Sequence, residues 1–396
     1  MKIAYIASHI YRHTFEINEV AELLQQRPDT RVYSFYRGGG ENIQRERIKD
    51  VPGDIISWSY KGMFSGAAYL IARYPGGFLR AAFLLTARSL RNPVYWAKNF
   101  AAFWMGLPIL ADASRHSVRH FHANFGSSPA TIAWVGKKMM GVGMSVTYHA
   151  FDIYSGPMTV RDPLKKTKLR DADLVVAVHE DGQTHLRELV PDVSPEKFRV
   201  IRISVEFEPK KKSHPLPTPP LVVAAGNLMP KKGFGALIKA VGLLKRKSFP
   251  VRLRVLGEGP ERLRLESMVR EEGIRDRTEI PGYFQHRELA AHLADASVFV
   301  APSRVTVQGL RDGIPTVVIE AWLSGTPVVA SLVGGMGEVI VHGETALVFR
   351  QGDYEGLADC LEELLTSDEL CQRIVENGRR LAQKDFSAQK NVCRLI

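Results

Sequence analysis

Cysteine is nearly absent: Cys360, Cys371 and Cys393 are the only 3 in 396 residues, with no close pair among them. Such spacing offers neither a disulfide framework nor a paired-cysteine zinc site, and it suits a reducing cytoplasm. Long apolar runs are missing too. In the most lipid-like region, Phe64 to Ala111, the basic residues Arg73, Arg80, Arg88, Arg91 and Lys98 intervene before any run reaches the roughly 20 apolar residues of a spanning helix. The opening Met-Lys-Ile-Ala-Tyr-Ile-Ala-Ser is too short for the core of a signal peptide; followed by His9, Tyr11, Arg12 and His13, it predicts a first buried strand. Acidic residues are in deficit, 42 against 53 Lys plus Arg, and the net charge of +11 favours nucleotides, phosphorylated ligands or anionic lipid as partners. The positive charge is dispersed and no recognition module is present, so nucleic acid is not an expected partner. Neither a Gly-x-Gly-x-x-Gly after the first strand nor a Walker loop occurs, which argues against hydride transfer and ATP hydrolysis.

What the chain does have is 45% apolar residues in an ordinary globular composition of two-domain length. Five prolines between Glu208 and Leu221 favour an extended backbone, so residues 209–220 are expected to link a domain 1–208 to a domain 221–396, whose last helix could return to the first. In the second half, an apolar run at Leu221–Ala225 and strand-like runs at Arg252–Leu256, Ser297–Ala301, Pro327–Ala330 and Ala346–Phe349 alternate with helical stretches. The first half shows weaker strands at Lys2–Ala7, Val32–Phe35, His120–His122, Ser145–Thr147 and Leu174–Ala177. Short buried strands alternating with helices predict two α/β doubly wound, Rossmann-like domains, with ligands beyond the carboxyl ends of the strands in a cleft that the domains face. Between Phe64 and Ala111, aromatic residues including Phe83, Trp96 and Trp104 interleave with basic ones. That pattern fits either the core of ordinary helices or an interfacial surface that meets an anionic membrane.

Three clusters could carry chemistry. Gly226-Asn227-Leu228-Met229-Pro230-Lys231-Lys232-Gly233 joins a strand to a helix, where lysines and helix-start amides favour an anion; the alternative is two solvated surface charges. Asp312-Gly313-Ile314-Pro315-Thr316-Val317 opens a second helix, with Pro315 expected at its first position and the Thr316 and Val317 amides free to meet an anion. Glu320, in the same apolar helix, is either an exposed carboxylate or a buried one needing a hydroxyl pair or cation. Past an N-terminal-domain strand, His149 and Asp152 could pair, the carboxylate fixing the imidazole, with His122 and Asn124 ending the neighbouring strand. A structural hydrogen bond is the competing role for His149.

The motifs Lys-Lys-Gly-Phe at 231–234, Val-Leu-Gly-Glu-Gly-Pro-Glu-Arg at 255–262, Val-Phe-Val-Ala-Pro-Ser at 298–303, and Asp312 with Glu320 stand in a recognisable order. Together with His-Ala-Asn-Phe-Gly at 122–126 and Tyr-His-Ala-Phe-Asp-Ile-Tyr at 148–154, they resemble the retaining glycosyltransferases of family 4, in their bacterial colanic-acid and exopolysaccharide branch. The resemblance spans nearly the whole chain. It implies the B-type fold of two Rossmann-like domains and transfer of a hexosyl group from a UDP or GDP sugar to a free or lipid-linked saccharide, without metal or other cofactor, at the cytoplasmic side of the membrane. By position it implies Glu320 on the ribose hydroxyls, Asp312 on the donor sugar, and Lys232 on the diphosphate, helped by Lys231, Gly226, Gly313, Ile314, Thr316 and Val317. Gly257 and Glu258 would line the nucleotide pocket, with Gly282 and Tyr283 near the base. His149 would approach the donor sugar, supported by Asp152, and His122, Asn124 and His9 would lie on the acceptor side. The chain departs from the family's pattern at Asp312, usually Glu, at Asn227, usually Arg, and at Pro315, usually Gly. Losing the Arg removes a bidentate phosphate contact that Arg304 or Lys231 could replace. The departures leave open a degenerate homologue serving as partner in an assembly complex, and the similar two-domain architecture leaves open a sugar-nucleotide epimerase.

Overall fold

The computed structural model describes all residues except 11–13, 36–54, 58, 91, 155–161, 213–214 and 396. The expectations for Tyr11, Arg12, His13 and Arg91 therefore fall outside the described residues. Two compact units are present, Met1–Ser204 with Ala388–Ile396, and Val205–Ser387.

In the first unit, β1 (Ile3–Ala7), β2 (Arg31–Ser34), β3 (Ile55–Ser57), β4 (His120–Asn124), β5 (Gly143–Tyr148), β6 (Leu174–Ala177) and β7 (Phe198–Val200) form one sheet in the order β3-β2-β1-β4-β5-β6-β7. All its pairings are parallel. Both faces are covered, and β1 shows why its sequence is apolar without alternation. Ala4 and Ile6 enter one core with Phe121 and Trp134, while Tyr5 and Ala7 enter another with Ile17, Val20 and Leu23 of the helix Thr14–Gln26. The second unit repeats the scheme with β8 (Leu221–Ala225), β9 (Arg252–Leu256), β10 (Thr278–Gly282), β11 (Val298–Ala301), β12 (Val328–Ser331) and β13 (Leu347–Phe349), in the order β10-β9-β8-β11-β12-β13. These pairings are parallel as well. Strand order reverses between β1 and β4 in one sheet and between β8 and β11 in the other, and such switch points open a crevice at the carboxyl edge. Both candidate sites lie there.

The strands β3, β7 and β10 escaped the sequence pattern, and all three are edge strands. An edge strand is covered incompletely, so its residues are not uniformly apolar; β10 reads Thr-Glu-Ile-Pro-Gly. The Pro-rich stretch belongs to the second unit, where the Lys212 ammonium donates to the carbonyls of Leu293 and Ala296 and to the Thr326 hydroxyl at 3.0, 2.5 and 2.8 Å. The closing helix Ala388–Leu395 belongs to the first, with Val392 buried beside Ile17 and Val20.

Three helices, Tyr60–Arg73, Pro75–Ser89 and Pro93–Arg115, occupy the segment between β3 and β4. Leu70, Leu85, Phe103, Leu107 and Leu110 enter the core, which bears out the packing reading for one side. The other side leaves Tyr60, Phe64, Leu79 and Phe83 about 70% exposed, at 70, 68, 70 and 70%.

Candidate functional site

In the second unit, glycines shape the carboxyl edge of the sheet. Gly226 and Gly257, just past β8 and β9, have φ of 148° and 143°. A Cβ on Gly257 would stand 1.9 Å from the Gly226 carbonyl oxygen, so no larger residue fits. Gly226 donates to the Leu256 carbonyl and Gly257 to the Gly282 carbonyl, each at 2.9 Å, which stitches the three turns together. Beside them the exposed Glu258 pairs with Arg262 at 2.5 Å, and Tyr283 is half exposed.

The turn after β8 ends in Lys231 and Lys232, and the loop after β11 ends in Asp312. The Lys231 ammonium is 2.8 Å from Asp312 Oδ1, the Lys232 ammonium is 2.9 Å from Oδ2, and the Ser303 hydroxyl donates to Oδ2 at 3.1 Å. Burial alone would raise the Asp312 carboxyl, but the Lys232 and Lys231 ammoniums beside it hold it down at about 2. The lysines are therefore not merely solvated charges. Two cations on one carboxylate leave one surplus positive charge. The helix Thr316–Leu323 begins here, with Pro315 as its N-cap rather than its first helical residue, because its ψ of 128° is extended. Pro315 makes no side-chain cap, and the Thr316 and Val317 amides make no hydrogen bond among the described residues. Unmet amides at a helix start add partial positive charge. Gly313 and Ile314 are buried beneath this turn.

Glu320, 2% exposed, is the buried alternative. Its Oε1 meets His286 Nε2 at 2.7 Å, and Oε2 has no partner. A buried carboxylate oxygen without a donor is costly, and a ligand hydroxyl is a chemically apt partner. His286, which sequence reasoning did not single out, opens the helix His286–Asp295 right after β10. Neither replacement for the missing Arg at the exposed Asn227 is uncommitted: the Arg304 Nε donates to the Pro230 carbonyl at 2.9 Å, and Lys231 holds Asp312.

In the first unit the carboxyl edge is built differently. Phe125, with φ of 99°, is a non-glycine residue in a region that bulky side chains avoid, and its ring lies 4.4 Å from the His149 imidazole, with Phe15 at 4.8 Å. Gly126 follows because a Cβ there would stand 2.2 Å from the Tyr148 ring. The His149 ring meets Asn124 Oδ1 through Nε2 at 2.5 Å. Asp152, expected to fix that ring, instead accepts from the His149 main-chain amide at 3.3 Å. The physical reason is local, since three residues on and at the start of the helix Ala150–Tyr154 a carboxylate naturally caps the turn. Burial raises the Asp152 carboxyl to about 6, against the Gly126 and His149 amides and the charges of Lys165 and Lys168.

His122 lies between the Ser145 hydroxyl at 2.9 Å and the Thr147 hydroxyl at 3.2 Å, and burial, with His120 nearby, pushes it down to about 3. It is a neutral structural group in the sheet interior. His9 is half-buried, and its amide donates to Glu16 Oε2 at 3.3 Å while the Ser8 amide donates to Oε1 at 3.0 Å. Glu16 and Glu19 were absent from the sequence candidates. The available signal was two carboxylates three apart, interleaved with the apolar stripe Ile17, Val20 and Leu24. Burial raises Glu16 to about 8, against the Ser8 and His9 amides, and Glu19 to about 7, against a Tyr5 hydrogen bond. A separate cavity of about 640 Å³, lined by Gly76, Gly77, Arg80, Lys137 and Lys138, opens beside the strand starts at Gly143, away from both carboxyl edges.

Residues 206–381 match the family described as glycosyl transferases group 1. The putative colanic acid biosynthesis glycosyltransferase WcaL of Escherichia coli (strain K12) is 30% identical over 278 residues, covering 68% of this chain and 67% of that protein. Its counterpart of the same name in Salmonella typhimurium is 29% identical over 393 residues, 95% and 93% of the two chains. Among solved structures, Anabaena Alr3699/HepE in complex with UDP-glucose superposes with a TM-score of 0.73 at 16% identity, covering 100% of this chain and 99% of that one. That superposition speaks for the architecture of the two sheets, and the family match at 206–381 spans the glycine turns, the lysine pair and Glu320. The chain belongs to the group 1 glycosyl transferases.

Proposed function

We propose that the protein transfers a hexosyl group from a UDP or GDP sugar to a saccharide acceptor during bacterial exopolysaccharide assembly, with retention at the anomeric carbon. The observation that carries this reading is the Lys231–Asp312–Lys232 cluster beside the unmet Thr316 and Val317 amides. The relatives' naming as colanic acid glycosyltransferases supports the pathway class, and UDP-glucose in the Anabaena protein supports the donor class. Both favour transfer over epimerisation and over a degenerate partner.

In this mechanism the bond from the anomeric carbon to the diphosphate oxygen breaks, and its electron pair leaves with the nucleoside diphosphate. The acceptor hydroxyl attacks from the same face and gives its proton to the departing oxygen. Charge develops on the diphosphate, and Lys232, Lys231 and the helix-start amides stabilise it without a metal, while Asp312 keeps both ammoniums in place. Glu320 accepts from the ribose hydroxyls. In the first unit, His149 hydrogen-bonds a sugar hydroxyl.

Isothermal calorimetry of UDP, GDP, ADP and CDP sugars in EDTA tests the donor site. Binding of one nucleotide class, weakened by about tenfold or more in Glu320→Ala, is expected. No binding by a folded protein would overturn the assignment. Anomeric coupling constants of the product report retention or inversion.

The acceptor is a lipid-linked saccharide in this reading, and the first unit rests on the cytoplasmic membrane face. No acidic residue occurs between Asp54 and Asp112, while Lys61, Arg73, Arg80, Arg88 and Lys98 are exposed with Phe64, Leu79 and Phe83. Arg88 faces Asp171 at 3.9 Å, but the segment itself supplies no counter-charge, and rings beside such cations suit anionic lipid. Among the described residues no helix is long and apolar enough to cross a membrane. Co-sedimentation with phosphatidylglycerol vesicles should be lost in a Phe64, Leu79, Phe83 triple Ser variant; undiminished binding would exclude this surface.

A further inference from the structure

Four polar side chains stand in one buried row in the first unit. Tyr5 and Asn124 are 0% exposed, His149 7% and Glu19 9%. The Tyr5 hydroxyl donates to Glu19 Oε1 at 2.8 Å, Asn124 Nδ2 donates to the Tyr5 oxygen at 2.5 Å, and Asn124 Oδ1 lies 2.5 Å from His149 Nε2. They come from four places in the sequence: β1, the helix Thr14–Gln26, the end of β4 and the residue after β5. An interior of this kind is ordinarily apolar, and burying four polar groups is unfavourable unless each is satisfied by another.

The row has a direction. Ionised, the Glu19 carboxylate only accepts, so at pH 8, above the value of about 7 to which burial raises it, the phenol proton points to Glu19 and the phenol oxygen is left to accept. Asn124 must then turn its NH2 toward Tyr5, which turns its carbonyl oxygen toward His149. That oxygen cannot donate, so the imidazole nitrogen facing it carries the hydrogen. In the neutral ring the lone pair consequently resides on Nδ1, the nitrogen able to accept from a sugar hydroxyl.

We propose that Glu19 and Tyr5 are positioning residues that, through Asn124, hold the His149 imidazole in one orientation and as the Nε2–H tautomer. The proposal rests on the reading that His149 contacts a sugar hydroxyl, but its structural half does not need that reading. Phe125 and Phe15 pack against the ring at 4.4 and 4.8 Å, and the Asn124 carbonyl oxygen sets its rotation. Glu16, on the same helix, completes the frame by holding the Ser8 and His9 amides.

The test combines a tautomer measurement with turnover. With 15N-histidine labelling of the full chain at pH 8, where Glu19 is ionised, and His149 assigned by its loss in His149→Gln, two-bond 1H–15N correlations should show Nε2 protonated and Nδ1 bare. Tyr5→Phe should give a mixture of tautomers and lower kcat for donor turnover about tenfold, with KM for the sugar nucleotide within about twofold. Glu19→Gln keeps an acceptor oxygen and should stay close to the parent, whereas Glu19→Leu should behave as Tyr5→Phe. This pair carries the same readout should Tyr5→Phe not fold. A parent spectrum with Nδ1 protonated, or a single unchanged tautomer in Tyr5→Phe and Glu19→Leu, overturns the proposal. A shifted tautomer with unchanged turnover overturns the role of His149 in the reaction, and calorimetric donor binding in the same variants reads the donor-site assignment independently.

Discussion

Asp312 and Glu19 are both buried carboxyl groups beside the switch point of a doubly wound parallel sheet, yet their proton affinities move in opposite directions. Asp312 is held at about 2 by two ammoniums that overcome its burial, whereas Glu19 rises to about 7 because burial meets only a phenol. The same topology supports two electrostatic solutions. The second unit concentrates formal charge where a diphosphate would sit, and the first hides its carboxyls among hydrogen bonds that orient neutral groups.

The largest expected effect follows from the charged side. Lys232→Met should lower kcat/KM for the sugar nucleotide by about a hundredfold, because one of the two cations at the proposed diphosphate site is gone. A change below threefold in a steady-state assay would dissolve the contrast between the units. Next comes Asp312→Asn, which leaves two ammoniums facing each other beside a neutral amide. A loss of about 2 kcal/mol is expected, discounted from the value for a deeply buried pair because both lysines keep partial access to water. Urea unfolding with a probe in the second unit measures it, and increased stability would show that the cluster is strained for binding.

The smallest effect is in pH dependence, where the two units should differ in sign. Asp312 is depressed below its ordinary 3.8, so its contribution is present above that pH and is lost as pH falls toward about 2. Glu16 and Glu19 are raised above their ordinary 4.5, so theirs is fully present below about pH 4.5 and is lost as pH rises through about 7 and about 8. The Tm should accordingly decline from pH 5 to pH 8, and Glu16→Gln should flatten that slope. An identical slope in Glu16→Gln would mean that Glu16 is not the protonated group.

Local pattern carried much of this molecule. The strands β1, β8, β11 and β12 are short, mostly apolar runs because both faces of a parallel sheet are covered, and such runs are visible in the chain alone. The turn at Gly226 was legible for a related reason, since positive φ demands glycine at a fixed place after a strand, while Gly257 came with the family resemblance. Lys231 and Lys232 followed from the turn at Gly226, and Asp312 and Glu320 from the helix start at Pro315.

Partners across the sheet were not legible, because they depend on which strands lie side by side. Asn124 belongs with Tyr5 and His149 only once β4 is placed between β1 and β5, and Glu19 joins them only when its helix packs on β1. Asp152 was assigned to the imidazole on sequence proximity, but three residues suffice only for a helix cap, so the ring was left to a distant amide. Periodicity and turn chemistry are properties of neighbours along the chain and were readable there. The pairing of Asp312 with both lysines, the burial of Glu320 against His286 and the row from Glu19 to His149 are long-range contacts, and these exist only after the sheet order has brought their elements together.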